Sequence, residues 1–159
     1  MKSNRNSRRQ TQSSWESRLP EALTLPFIEI GDAVCIGDRG EIARHARHYG
    51  PDTIGLEAFV NHLHMRDITP DWAHERRTCM TAVAHTIALA WATRLLPLLR
   101  SRTALFFVGG RATRDVSVRF HIERANHPAW LNVSDSALLQ RERMVVYRLT
   151  PEGLVRIPR

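Results

Sequence analysis

The stretch Cys79–Leu99, CMTAVAHTIALAWATRLLPLL, decides the fold of this chain. It carries no charged residue before Arg94, and its apolar residues recur every three or four positions, which is the spacing of one helix face. That face would hold Met80, Ala84, Ile87, Trp91, Leu95 and Leu98. Upstream, Thr69-Pro70 is typical of a helix start, because threonine caps the first turn and proline fits within it. The sequence therefore predicts one long apolar helix over about 70–98, at the centre of the core.

The chain downstream of this helix has the two-residue periodicity of strands. Val116–Ile122 alternates apolar with polar residues, which is typical of a strand with one buried face. Thr150–Gly153 has proline at its second position and glycine at its end, so it predicts a turn between two hairpin strands. Strands are predicted over 105–108, 116–122, 129–134, 145–149 and 155–157.

The residues upstream of the long helix predict shorter elements. Two short extended pieces end at Gly31-Asp32 and Gly37-Asp38. Asp38–Glu41 has the form of a capping box and predicts a helix over 41–49. A second helix is predicted over 54–66, with its apolar stripe at Leu56, Phe59, Val60 and Leu63. Helices followed by antiparallel strands indicate an α+β fold, with N-terminal helices packed on a C-terminal antiparallel sheet of four to five strands.

The composition fits one folded domain with a polar tail. A chain of 159 residues with 43% hydrophobic residues can bury a core without disulfides, so a disulfide scaffold, a multidomain enzyme and a wholly disordered chain are excluded. Residues 1–18 are basic and poor in apolar side chains, and we expect them to be disordered, with the domain over 19–159. Two isolated cysteines, no secretory signal and a charge-free run too short to span a membrane predict a cytoplasmic protein.

The positive charge is unevenly distributed along the chain. Net charge is +7, and all but one of the 23 basic residues are arginine. Residues 1–18 carry five basic residues and one acidic residue. Residues 19–93 carry six basic and ten acidic residues, and residues 94–159 carry twelve basic and five acidic residues. A GC-rich coding sequence would favour arginine over lysine, and so would selection for the planar donors that suit phosphate and carboxylate. The acidic and basic halves could also attract and neutralise each other in the folded protein.

Residue parity within the predicted strands places several basic side chains on the sheet face that points away from the helices. The adjoining loop after Gly109-Gly110 adds further arginines. Such a basic face is the electrostatic footprint of nucleic-acid binding. The predicted anion-binding residues are Arg111, Arg114, Arg119, His121, Arg148 and Arg156.

The densest group of metal-ligand side chains is His62, His64 and Asp67. Residues i and i+2 of a helix point in different directions. This group would therefore hold a metal ion only if the helix ended near Asn61.

The leading hypothesis is a non-enzymatic binding protein for a polyanion, either nucleic acid or a nucleoprotein complex, with no cofactor, no catalytic residue and no membrane. The chain has no nucleotide-binding or nucleophile motif that would indicate an enzyme. The first alternative is an inhibitor, immunity or counter-defence module that covers an acidic protein surface. The second is a small metal-dependent hydrolase built on the histidine group. Oligomeric state and the choice between DNA and RNA stay open.

Overall fold

A computed structural model of the chain describes residues 18–68, 77–112, 115–125 and 127–158. The helices are α1 (18–24), α2 (Arg39–Tyr49), α3 (Thr53–Val60), α4 (Met65–Ile68), α5 (Arg77–Leu99) and α6 (Ser136–Arg141). The strands are β1 (Phe27–Ile30), β2 (Ala33–Ile36), β3 (His62–His64), β4 (Ala104–Gly109), β5 (Ser117–Ile122), β6 (Met144–Thr150) and β7 (Gly153–Arg156).

The strands form two antiparallel sheets. β1 and β2 pair as a separate hairpin, and the main sheet has the order β3-β5-β4-β6-β7. The predicted α+β class is confirmed. Four strands of the five-stranded sheet, β4 to β7, come from the C-terminal part of the chain, and β3 precedes the long helix. Residues 1–17 of the predicted tail, the start of the long helix at 70–76 and Arg114 lie outside the described residues.

Helix α5 is the centre of the main core. Of the six residues predicted for its buried face, five are buried. Leu98 is only partly covered, and Leu99 takes the inner position. The indole of Trp91 donates to the carbonyl oxygen of Ala22 at 2.8 Å, which fixes α1 against α5. By length and composition α5 is also apolar enough to cross a membrane. Its inner face packs on the sheet, as a core helix does.

The predicted strand over 129–134 is wrong, because polar side chains bond the local backbone instead. Asn132 accepts from the Ser134 amide at 3.0 Å, and Asp135 accepts from the Leu138 amide at 2.8 Å and caps α6. Side chains of this type favour turns and helix starts over strand ladders. The segment instead packs Ala129, Leu131 and Val133 onto the sheet face opposite α5.

The predicted helix over 54–66 is also wrong in its second half. It ends at Val60, and residues 62–64 form the edge strand β3 beside β5. Phe59, expected in the buried stripe, is 52% exposed, whereas Glu57 and Asn61 are fully buried. The helix is rotated because these two polar side chains complete the hydrogen bonding of strands on both sides of it.

Glu57 joins the hairpin to the main sheet. Its carboxylate accepts from the backbone amides of Val34 at 2.8 Å and Ile122 at 2.9 Å. It also forms a two-point ion pair with Arg124, at 2.8 and 2.9 Å. Asn61, one helical turn later, accepts from the Ile36 amide at 2.8 Å and donates to the Val34 carbonyl at 2.8 Å. All four lone-pair positions of the buried carboxylate are therefore used, which is the condition for burying a charge.

We expect Glu57→Gln to destabilise the fold by about 3 kcal/mol, because it leaves Arg124 without its counter-ion and turns an amide NH2 toward a backbone donor. Urea unfolding at pH 7 measures this. Glu29→Gln is the matched control: it breaks the exposed Glu29–Arg102 pair and should cost no more than about 1 kcal/mol. Equal effects of the two variants would contradict the role given to Glu57.

Candidate functional site

The sheet face that was expected to be open and basic is largely covered. Residues 129–133 and α6 pack on Leu105, Phe107 and Val146 to form a second apolar cluster there. His121 is fully buried in this layer. Its Nδ1 bonds the Ile122 carbonyl at 3.1 Å and its Nε2 accepts from the Trp130 amide at 3.3 Å. His121 therefore holds the Trp130 segment and presents no charge to solvent.

Arg119 is half-buried in a group that we name the His–Arg–Trp cluster, comprising His62, His64, Arg119 and Trp130. The guanidinium carbon lies 3.8 Å from the centre of the Trp130 ring, and Nη2 donates to Nδ1 of His62 at 2.7 Å. Burial lowers the pKa of Arg119 to about 10. Burial and the adjacent Arg119 lower the pKa of His62 to about 3, so the imidazole is neutral and accepts the bond.

Arg148 is on the expected outer face but is already paired. Its Nε and Nη2 donate to Glu123 at 2.8 and 2.9 Å, and this side-chain hydrogen bond raises its pKa. A guanidinium engaged in a two-point ion pair adds little to the positive potential of the surface.

Arg156 lies on the face opposite to the predicted one. The two-residue turn pairs Thr150 with Gly153 and Tyr147 with Arg156, and directly paired residues of antiparallel strands share a face. Odd positions of β6 therefore share a face with even positions of β7, so Arg156 lies on the side of Tyr147 and α5. The prediction assumed that odd positions of both β6 and β7 face the helices, and it was wrong at Arg156.

The metal hypothesis is met only in part. Because α3 ends at Val60, His62 and His64 do lie on one side of a strand, with ring centroids 4.2 Å apart. However, Nδ1 of His62 bonds Arg119, and the carboxylate of Asp67 lies 3.7 Å from Arg66. Across residues 18–68, 77–112, 115–125 and 127–158, no three His, Cys, Asp or Glu side chains are grouped to hold a metal ion.

A groove of about 550 Å³ lies between α5 and the start of β6, and we call it the α5–β6 groove. Its lining residues are Arg77, Thr78, Thr81, Ala82, His85, Arg143 and Val145. Burial and the nearby Arg143 lower the pKa of Arg77. Nη1 of Arg77 donates to the carbonyl oxygen of the exposed Arg111 at 3.0 Å, which places the predicted Arg111 beside this groove.

The groove continues toward Arg156. Nδ1 of His85 and the hydroxyl of Tyr147 are 2.9 Å apart. Arg156 pairs across the strands with Tyr147, and burial together with the positive charge of Arg156 lowers the pKa of His85. Among the described carboxylates, none forms an ion pair with Arg77, Arg111, Arg143 or Arg156.

Arg143 has a left-handed backbone conformation, with φ of 51°. It follows the end of α6, where glycine is the usual residue. Its backbone lies against Gly109, where a Cβ would collide with the Arg143 carbonyl oxygen. The sequence did not indicate Arg77 and Arg143 because they are far apart in the chain. Pairing of β4 with β6 and packing of α5 on the sheet bring them together.

Comparison of the chain with models of known protein families, with curated proteins and with solved structures gives no match in any of the three.

We expect the folded protein to lose stability as pH falls from about 6.5 toward 3. The pKa of His62 is lowered on folding, so the unfolded chain binds the proton more readily and the stabilisation, complete above 6.5, declines below it. His62→Gln keeps an acceptor for Arg119 but does not titrate, and should flatten this decline in urea unfolding series. His48→Gln, at an exposed position of α2, is the control; parallel curves for wild type and His62→Gln would refute the prediction.

Proposed function

We propose that the chain is a non-enzymatic binding protein for a polyanion, with nucleic acid as the partner and the α5–β6 groove as its site. The single observation that supports this most is the meeting of Arg77 and Arg143 in one groove with no carboxylate paired to either among the described residues. Like charges placed together lower the stability of the free protein. An external anion would relieve this repulsion.

The chemistry of the groove favours phosphate groups along a chain. Two further arginines are near the lining: Arg111 bonds Arg77 through its backbone carbonyl, and Arg156 acts on His85. The hydroxyls of Thr78 and Thr81 add neutral donors. Arginine, threonine and backbone donors are the usual contacts to nucleic-acid phosphates. Nothing in the groove resembles a base-reading element, so the expected binding is independent of sequence.

Binding of a fluorescein-labelled 20-nucleotide single strand, followed by anisotropy, should weaken steeply between 50 and 200 mM salt. Four arginine contacts predict a slope of log K against log salt of roughly −3, at about −0.7 for each neutralised phosphate of a single strand. Affinity that does not change over this range would contradict the proposal.

Arg143→Gly tests the groove without a cost in folding. Glycine relieves the left-handed backbone, so stability should stay equal or rise by up to about 1 kcal/mol, while oligonucleotide affinity at 50 mM salt should fall about five- to tenfold. Arg100→Gly is the matched control. Arg100 also has a left-handed backbone, with φ of 58°, and its substitution by glycine removes the same charge. It lies past the opposite end of α5, about 35 Å from Arg77 at 1.5 Å per helical residue.

Arg100→Gly should change affinity less than twofold. Equal losses in the two variants would show that only net charge matters and would refute the groove as the site.

An acidic protein surface is the second candidate. Phe59 is 52% and Trp130 is 38% exposed, and Trp130 lies against Arg119. Exposed tryptophan and arginine are frequent centres of protein interfaces. A stoichiometric partner that stays bound after nuclease treatment, and is lost in Trp130→Ala but retained in Arg143→Gly, would favour this candidate over nucleic acid.

A further inference from the structure

The described part of the chain has two buried side-chain polar atoms without a hydrogen-bond partner, and both belong to the His–Arg–Trp cluster. They are Nε of Arg119 and Nδ1 of His64. Arg119 pairs across the strands with His62, and His64 pairs with Ser117, two residues from Arg119. Both side chains therefore lie on the same face of neighbouring strands, at the edge of the sheet. Buried polar groups of native proteins are almost always satisfied, by protein groups or by water, and the described side chains do not satisfy this pair.

The guanidinium of Arg119 is held rigidly in place. Trp130 stacks on it, and Phe107 packs edge-on against the Trp130 ring at 5.3 Å between centroids. His62 fixes its Nη2. A guanidinium that is already oriented loses little further freedom when it binds a ligand.

Arg119 has no carboxylate partner, unlike several other arginines of the second half of the chain. Arg124 pairs with Glu57, Arg102 with Glu29 and Arg148 with Glu123. No described carboxylate forms an ion pair with Arg119. Because a cation taken out of water is normally paired, the missing negative charge is expected to come from outside the chain.

We propose that the His–Arg–Trp cluster is a binding site for the oxyanion of a small ligand, received by the Nε–H of Arg119 and by His64 in its Nδ1–H form. The site lies on the opposite face of the sheet from the α5–β6 groove and does not depend on the function proposed for that groove.

The surroundings of the oxyanion site point to a ligand that also carries a flat ring. Trp130 is partly exposed beside the guanidinium. Aromatic side chains next to an arginine bind stacked bases and their phosphates. A nucleoside monophosphate is the ligand class that combines both groups.

The test is titration of the full-length protein with AMP, inorganic phosphate, acetate and adenosine. The readouts are the Nε–H signal of Arg119 and the indole signal of Trp130 in NMR. We expect AMP to shift both signals with saturation, phosphate and acetate to shift Arg119 at least tenfold more weakly, and adenosine to be weaker still. No shift of the Arg119 signal by 20 mM AMP would overturn the proposal. Equal affinity for AMP and phosphate would overturn its aromatic part.

Variants separate this site from the groove. Arg119→Gln should weaken AMP binding at least tenfold, and His64→Phe, which keeps a ring in place but removes the nitrogen, at least threefold. Arg143→Gly should leave AMP binding within twofold. If Arg119→Gln does not fold, the NMR titration of the wild-type protein and of His64→Phe still decides the matter. AMP binding unaffected by His64→Phe and by Arg119→Gln would refute the site.

Discussion

The buried carboxylate of Glu57 is the contact on which the arrangement of the chain depends. One carboxylate oxygen accepts from the Ile122 amide of β5, as a neighbouring strand would, and the other accepts from the Val34 amide of β2. Arg124 neutralises the charge and also bonds the carbonyl oxygen of Asp32. Because α3 must present Glu57 and Asn61 inward, the helix ends at Val60. The chain then pairs with β5 as the edge strand β3, which brings His62 and His64 to Arg119.

Seven of the ten described arginines of the second half fall into three groups by what holds them. Arg124, Arg102 and Arg148 neutralise carboxylates within the fold. Arg119 is stacked and bonded to neutral partners. Arg111, Arg143 and Arg156 have no carboxylate partner among the described residues. Of these three, Arg143 lines the α5–β6 groove with Arg77. The positive charge of this half is therefore partly consumed inside the molecule, and Arg143, together with Arg77, places part of the remainder beside α5.

Sequence periodicity predicted the elements whose burial follows one simple pattern. Helix α5, strands β4 and β5 and the β6–β7 hairpin are long or apolar enough for their spacing to specify them. Strand β3 was missed because it has three residues and continues an apolar helical spacing. The segment 129–134 was misassigned because its apolar residues alternate as in a strand, whereas the backbone bonding is taken by Asn132 and Asp135. Periodicity reports which side chains are buried and carries no information about where the backbone finds its partners.

The sequence by itself determined the α+β class, the central helix, the hairpins and the excess of arginine over acid in the second half, since these follow from local spacing and composition. The tertiary structure decided which basic residues share a surface. A turn of two residues reversed the parity of Arg156, a loop covered His121, and a helix that ended six residues early placed two histidines beside Arg119. The changes at His121 and at the two histidines come from contacts between residues far apart in the chain, and the change at Arg156 comes from the register of one hairpin, where a shift of one position moves a side chain to the other face of a sheet.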